Sequence, residues 1–277
     1  MKAELLDQQV LAMYDVRGIQ SYIFKSNAAK EIVGASALVE KIITEGLREY
    51  VSIQKKNLST YMMDWKKDNP KAFLEDQEIE MQIMFIGGGN AYVLFRHGRE
   101  CEKVNRFLAK YLLDRTYSLN LAVAVVSKTE DYKKDYDAIN NKMREIKASM
   151  PLSMPVGAMP FMAVDTITGY PLTSKDTKGN YYSTEASLKR AAFPKMEDEK
   201  LFDNMITEKG DSSTLAVFHI DGNSMGNTIR NTMKDIRGYE DAITKMRKLS
   251  LNISGNFRQT VCLLYTSPSP RDRTRSR

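Results

Sequence analysis

The stretch MQIMFIGGGNAYVLF, Met81–Phe95, decides the fold. Two apolar runs flank Gly87-Gly88-Gly89-Asn90, which predicts two antiparallel strands joined by a tight corner. Gly and Asn tolerate positive φ, so a tight turn alone explains their use. Glycines also let a ligand approach the backbone where a Cβ would collide. On this stretch alone, both interpretations stay open.

The flanking segments extend this hairpin into an α+β domain over residues 1–148. Apolar periodicity predicts these elements in order: a strand over Val10–Tyr14 ending at Asp15, a helix over Gly34–Val51, strands over Ile79–Ile86 and Ala91–Phe95, a helix over Arg99–Asp114, a strand over Leu119–Val126 and a helix over Tyr132–Ile146. This order is the ferredoxin-like βαββαβ pattern. Right-handed crossovers place the first strand centrally, next to the third, so we expect Asp15 at its C-terminal end, close to the glycine corner. The polar segment Lys55–Glu78 reads as an insertion or lid.

Residues 149–212 have a different character. Five prolines and several turn signals predict an irregular connector, with one helix near Ser187–Phe193. Lys189 and Arg190 favour a solvated basic helix face over a contact with phosphate or RNA. Residues 213–260 then repeat the first element order, with an apolar run Leu215–Ile220 ending at Asp221 and a helix from about Tyr239.

The end of the chain changes the charge argument. We interpret residues 261–277 as an adapter-derived tail, because Cys262–Asp272 resembles the translation of a sequencing adapter. Its four arginines and one aspartate contribute +3 of the net charge of +6, so +3 remains and a basic pI is weak evidence for nucleic-acid binding. Outside the tail only Cys101 is left, which is typical of an intracellular protein. With no apolar run of membrane-spanning length, we expect a cytoplasmic protein without membrane contact.

Two strand-end aspartates carry the chemistry that the sequence suggests. A carboxylate beside a glycine hairpin is a recurring arrangement in nucleotidyl transfer, since it holds Mg²⁺ through oxygen while the ion bridges the triphosphate. Asp15 and Asp221 are therefore candidate metal ligands for Mg²⁺ or Mn²⁺. Arg17 directly follows the first strand-end aspartate and is a candidate phosphate contact.

Three motifs carry a resemblance to a known family. YDVRGIQSYIF (Tyr14–Phe24), FIGGGNAYVLF (Phe85–Phe95) and FHIDGNSMGNTIR (Phe218–Arg230) resemble the palm domains of the large subunit of type III CRISPR effector complexes, the Cas/Cmr polymerase-cyclase subunit, which is akin to GGDEF cyclases. The resemblance implies a first palm over 1–148, a degenerate zinc-type module over 149–212 and the N-terminal part of a second palm over 213–260.

The resemblance also implies an activity and partners. It implies ATP bound between two palms, cyclic oligoadenylate synthesis in antiviral defence, and association with CRISPR RNA-effector subunits and target RNA. It implies Asp221 as the catalytic metal ligand. The nucleotide-binding residues that motif and resemblance together suggest are Asp15, Arg17, Gly18, Gly87, Gly88, Gly89, Asn90, Gly222, Asn223, Met225 and Gly226.

Departures from the family pattern leave alternatives open. Gly89 and Asn90 stand where the family hairpin has two aspartates, which favours a binding role for the first palm over a catalytic one. Residues 149–212 hold no cysteine, so we expect no zinc there. The alternative function is a non-catalytic scaffold that binds nucleotide or RNA in the effector complex, and a third is a stand-alone GGDEF-like signalling enzyme.

The expected position of the second-palm hairpin gives a first prediction. The corner of the second palm, at the spacing of the first, is expected at position 293, beyond this 277-residue sequence. We therefore expect the purified chain to make no oligoadenylate from ATP and Mg²⁺, because it lacks the second-palm metal site. Mass spectrometry of the reaction mixture checks this, and linear or cyclic oligoadenylate would contradict it.

Overall fold

The computed structural model describes residues 3–54, 58–151, 158–194 and 225–266 of the chain. In these ranges the helices are α1 Ile19–Ile23, α2 Ala29–Ile53, α3 Ala72–Glu75, α4 Gly98–Thr116, α5 Tyr132–Ser149, α6 Thr184–Ala191, α7 Met225–Met233 and α8 Tyr239–Thr266. The strands are β1 Val10–Arg17, β2 Tyr61–Met62, β3 Met81–Gly87, β4 Asn90–Phe95, β5 Asn120–Ser127, β6 Leu172–Lys175 and β7 Tyr181–Ser183.

Strand β1 lies inside a five-stranded sheet of order β2-β3-β4-β1-β5. It pairs antiparallel with β4 on one edge and with β5 on the other. This confirms the α+β class and the predicted ferredoxin-like order, with β1 next to the second strand of the hairpin. The segment expected as an insertion or lid adds a short parallel strand, β2, to the edge formed by β3.

Strand β1 is longer than its apolar run indicated. Pairing continues through Val16 and Arg17, which face Leu121 and Asn120 of β5. Asp15 is therefore the third residue from the end of β1 and not the last, because the neighbouring strand goes on supplying backbone partners beyond it.

The sheet is covered on both faces, and the alternation of β1 divides its side chains between two cores. Helices α2 and α4 cover one face, where they pack on the even-numbered residues of β1. The buried side chains of that core include Val10, Tyr14, Val39, Ile42, Ile43, Leu47, Tyr50, Ile83, Val93, Phe95, Val104, Leu108 and Leu112. The apolar faces predicted for both helices thus form the interior that the sequence indicated.

Helices α5 and α8 cover the opposite face. Leu11 and Met13 of β1 and Leu94 of β4 belong to this second core. Its other large members include Ile139 and Met143 of α5, Met233 at the end of α7, Ile236 between α7 and α8, and Tyr239, Ile243 and Met246 of α8. Helix α8 also contacts β3. The described part of the region predicted as a second palm, which begins at residue 225, is therefore packed on the sheet of the first.

The described part of the connector is more regular than predicted. A hairpin, β6–β7, leads into α6, which packs against α2 at close range. A Cβ on Gly34 of α2 would stand 1.8 Å from the carbonyl oxygen of Lys189, so the helices fit this tightly only with glycine there.

Lys189 corrects a sequence-based interpretation. It does not lie on a solvated basic face: only 1% of its side chain is exposed, and its ammonium lies 2.6 Å from the equally buried Glu185 carboxylate. The ammonium also donates to the carbonyl oxygen of Tyr22 at 2.7 Å and lies over the ring of that tyrosine. A charged run at helical spacing does not reveal burial by itself, because the partner carboxylate and the acceptor carbonyl come from the packed structure.

In the ranges that the structure describes, no helix combines the length and the apolarity needed to cross a membrane.

One hydrogen bond across the α5–α8 contact gives a prediction. Tyr239, 4% exposed, donates its hydroxyl to the buried carboxylate of Asp135, and burial raises the pKa of Tyr239 well above its usual value. Tyr239→Phe removes this charge-assisted bond, so we expect the free energy of unfolding to fall by about 1–3 kcal/mol. Urea denaturation measures the change.

The matched control is Tyr181→Phe, whose side chain is largely exposed on β7 and should change stability by less than about 0.5 kcal/mol. Equal stabilities of the two variants would contradict the docking of α8 on α5.

Candidate functional site

The glycine corner is a two-residue hairpin turn between β3 and β4. Gly88 and Gly89 have φ of 59° and 80°, the left-handed region that a primed hairpin turn requires at both central positions. Asn90 has no positive φ and instead begins β4. Turn geometry therefore accounts for Gly88 and Gly89. It does not account for Asn90, whose backbone is that of an ordinary strand residue.

Asp15 and Asn90 face each other across β1 and β4. They are direct partners in the antiparallel register, so their side chains project from the same face of the sheet. The backbone N–H of Val16 donates to the carbonyl oxygen of Gly89 at 2.9 Å, which ties the turn to β1. The sequence placed these groups together correctly, because the register of β4 against β1 follows from the hairpin.

The C-terminal end of α5 closes over this part of the sheet. The Lys147 ammonium forms an ion pair with the Asp15 carboxylate. Two residues along β1, the Arg17 guanidinium donates to the carbonyl oxygen of Met150 at 2.6 Å. Both predicted polar residues of β1 are thus bound to the same helix end.

An open groove lies between β1 and α5, with a volume of about 720 Å³. Its lining residues are Met13, Asp15, Tyr136, Asp137, Asn140, Asn141, Met143, Arg144 and Lys147. Two carboxylates are balanced by two cations, and two amides, two methionines and a half-buried phenol ring complete the lining. Tyr136 stacks on Tyr92 with ring centroids 6.1 Å apart, and burial raises the pKa of Tyr92, so that this phenol stays neutral.

A divalent metal does not fit the described groups at Asp15. Mg²⁺ prefers an octahedron of oxygens that usually includes more than one carboxylate or phosphate. Here the Asp15 carboxylate is bound to Lys147, and the facing residue is the neutral Asn90, whose amide nitrogen donates to the Gly88 carbonyl at 3.4 Å. Among the described residues, no three His, Cys, Asp or Glu side chains come together as a metal site would require.

The other predicted site residues lie between Asp221 and Gly226, at the edge of the described part of the chain. Asp221, Gly222 and Asn223 lie outside the described residues, and Met225 and Gly226 form the first turn of α7. Their roles in catalysis, metal binding and nucleotide binding stay predictions. Gly18 adopts φ of 79° at the start of α1 and accepts a hydrogen bond from the Ser21 hydroxyl.

Sequence reasoning missed the groove residues of α5. The sequence predicts a helix over Tyr132–Ile146, but nothing in its pattern singles out Asn140, Arg144 or Lys147. A signal was present: Lys147 follows Met143 by four residues, so a cation continues the buried stripe of an amphipathic helix. The partner of Lys147 could not be predicted from this spacing, because it depends on how α5 packs on the sheet.

Neither the family models nor the curated proteins contain a match to this chain. Solved structures of low similarity exist. The apo Csm1-Csm4 cassette is 15% identical with a TM-score of 0.37, over 53% of this chain and 20% of that chain. A Csm1-Csm4 cassette in complex with cA4 is 17% identical with a TM-score of 0.36, over 51% and 19%.

The Csm1-Csm4 subcomplex of the type III-A CRISPR-Csm interference complex gives 15% identity and a TM-score of 0.37, over 51% and 19%. The chain spans about a fifth of the length of these structures.

We expect alanine substitutions at the two central glycines of the corner to destabilise the fold by different amounts. A Cβ on Gly89 would come 2.5 Å from Ile19 Cδ1, whereas a Cβ on Gly88 meets nothing within 4 Å. Both substitutions by Ala pay about 1–2 kcal/mol for left-handed backbone. We expect Gly89→Ala to lose about 1 kcal/mol more than Gly88→Ala, because Ile19 must move in a packed site. Urea unfolding of the two variants checks this, and equal losses would contradict the close contact between the turn and α1.

Proposed function

We propose that this chain is the palm portion of a type III CRISPR-associated protein and that the groove between β1 and α5 binds an adenosine nucleotide. The observation that carries the proposal is the pairing of Asp15 with Asn90 beside a left-handed two-glycine turn, with a polar groove opening next to it. The three sequence motifs supply the nucleotide class, because they resemble a family that uses ATP.

The groove offers a group for each part of a nucleotide. The partly exposed ring of Tyr136 provides a face on which a purine can stack. The Asn140 amide donates to the Tyr136 carbonyl at 2.7 Å and accepts from the Tyr92 hydroxyl. The Asn141 oxygen accepts from Arg144 at 2.6 Å. Each amide nitrogen has a second N–H, which a base edge could accept. Arg144 is exposed at the rim and Lys147 is partly exposed, and both cations are suited to phosphate oxygens.

The catalytic part of the proposal concerns Asp221. In the proposed activity Asp221 holds Mg²⁺ or Mn²⁺, which would stabilise the charge that develops on the transferred phosphoryl group. The whole protein would use ATP to make cyclic oligoadenylate, with effector subunits and target RNA as partners. We place no catalytic role in the first palm, since its hairpin has no carboxylate.

One observation favours a second candidate function. Asn90 replaces a carboxylate, and Lys147 neutralises Asp15, so the described half has the polar surface of a binding site without acidic catalytic machinery. This is the pattern expected of a non-catalytic scaffold that binds nucleotide or RNA.

Binding of ATP to the groove is tested by isothermal titration calorimetry with ATP and Mg²⁺. Arg144→Ala should weaken binding about tenfold, the equivalent of one charge-assisted hydrogen bond of roughly 1.4 kcal/mol. Lys134→Ala is the matched control, because Lys134 is an exposed cation of the same helix that does not line the groove.

Equal ATP affinities of the Arg144→Ala and Lys134→Ala variants would contradict the groove as the nucleotide site. Binding of a labelled single-stranded RNA, without any binding of ATP, would instead support the scaffold.

A further inference from the structure

We propose that the Asp15 site of the first palm is a metal-free site in which the ammonium of Lys147 stands where a divalent cation would otherwise be bound. The inference rests on the proposed function only for the identity of the nucleotide. Its central claim, that Lys147 excludes a metal from Asp15, concerns this chain's own residues.

The Asp15–Lys147 ion pair is partly buried, and a neighbouring hydrogen bond holds it in place. The Asp15 side chain is 13% exposed and that of Lys147 is 38% exposed, so the carboxylate is largely withdrawn from water while the ammonium keeps access to the groove. A buried carboxylate needs a partner, and Lys147 supplies it. The Arg17–Met150 hydrogen bond fixes the end of α5, which holds Lys147 over Asp15.

Charge balance makes lysine and metal mutually exclusive. Asp15 and Lys147 together are neutral, and Asn90 adds no charge. A divalent ion bound to Asp15 would lie within a few ångströms of the ammonium, and like charges at such range in a partly buried site repel strongly. A second carboxylate at position 90 would offset that repulsion, and this chain has an amide there.

The same arrangement gives the nucleotide a cationic contact without a metal. An ammonium carries three donors, so Lys147 can hold Asp15 and still donate to a phosphate oxygen from its exposed side. Arg144, one helical turn earlier, lines the same groove and adds a second fixed cation. Binding of the triphosphate in the first palm therefore needs no Mg²⁺.

The first experiment measures Mn²⁺ alone, by electron paramagnetic resonance of the free ion. The wild-type chain and Asp15→Asn should bind the same number of Mn²⁺ ions, since Asp15 is already occupied by Lys147. Lys147→Ala should bind about one more Mn²⁺ than Lys147→Ala/Asp15→Asn, because the freed carboxylate becomes an oxygen ligand. Lys147→Arg keeps the cation and should behave as the wild type.

Greater Mn²⁺ binding by the wild type than by Asp15→Asn would overturn the proposal. So would an absence of any difference between Lys147→Ala and its double variant, provided that circular dichroism shows both to be folded. Other acidic groups, including Asp221, are the same in both proteins of each pair. The Mn²⁺ ions that they bind therefore cancel in the difference.

The second experiment measures ATP binding by calorimetry in an Asp221→Asn chain, which removes the metal ligand proposed for the second palm. ATP should bind in EDTA with a Kd within about twofold of that in Mg²⁺, a free-energy difference of less than about 0.5 kcal/mol. Binding that is lost in EDTA would overturn metal independence. Failure to bind ATP under both conditions would overturn the proposed nucleotide function, while the Mn²⁺ comparison would still decide the role of Lys147.

Discussion

The double burial of strand β1 is the constraint on which the rest of the structure depends. Its backbone is paired along both edges, and its side chains alternate between two separate cores. A one-residue shift in either pairing would exchange Leu11 and Met13 with Ala12 and Tyr14 between the faces. The registers of β4 and β5 are thereby fixed, and with them the residues that stand opposite Asp15.

That constraint also explains why a charged residue is tolerated in the middle of a sheet. Asp15 falls on the face shared by α5 and α8, where the apolar layer gives way to the groove. Lys147 reaches it from the last turns of α5, so the carboxylate is compensated within the fold. The sequence predicts a metal ligand at Asp15, and the fold brings a lysine and an amide to the same place.

The second covered face joins two parts of the chain that are far apart in sequence. Tyr239 and Met246 of α8 pack beside Tyr132 of α5, and the Tyr239 hydroxyl meets Asp135. The connector is fastened separately: the buried Lys189 of α6 donates to the Tyr22 carbonyl of α1, and α6 packs closely on α2 at Gly34. The groove is therefore bordered by elements whose positions are set by packing at several independent contacts.

The sequence by itself determined the element order, the hairpin and the closeness of Asp15 to Asn90, since apolar periodicity and turn chemistry act over a few residues. It underestimated the length of β1, whose last residues are held by β5, and it misassigned Lys189 to a solvated face. Only the tertiary structure decided the partners of the charges. Lys147 meets Asp15 across 132 residues, and Lys189 meets the Tyr22 carbonyl across 167, because burial and long-range packing are not encoded in local spacing.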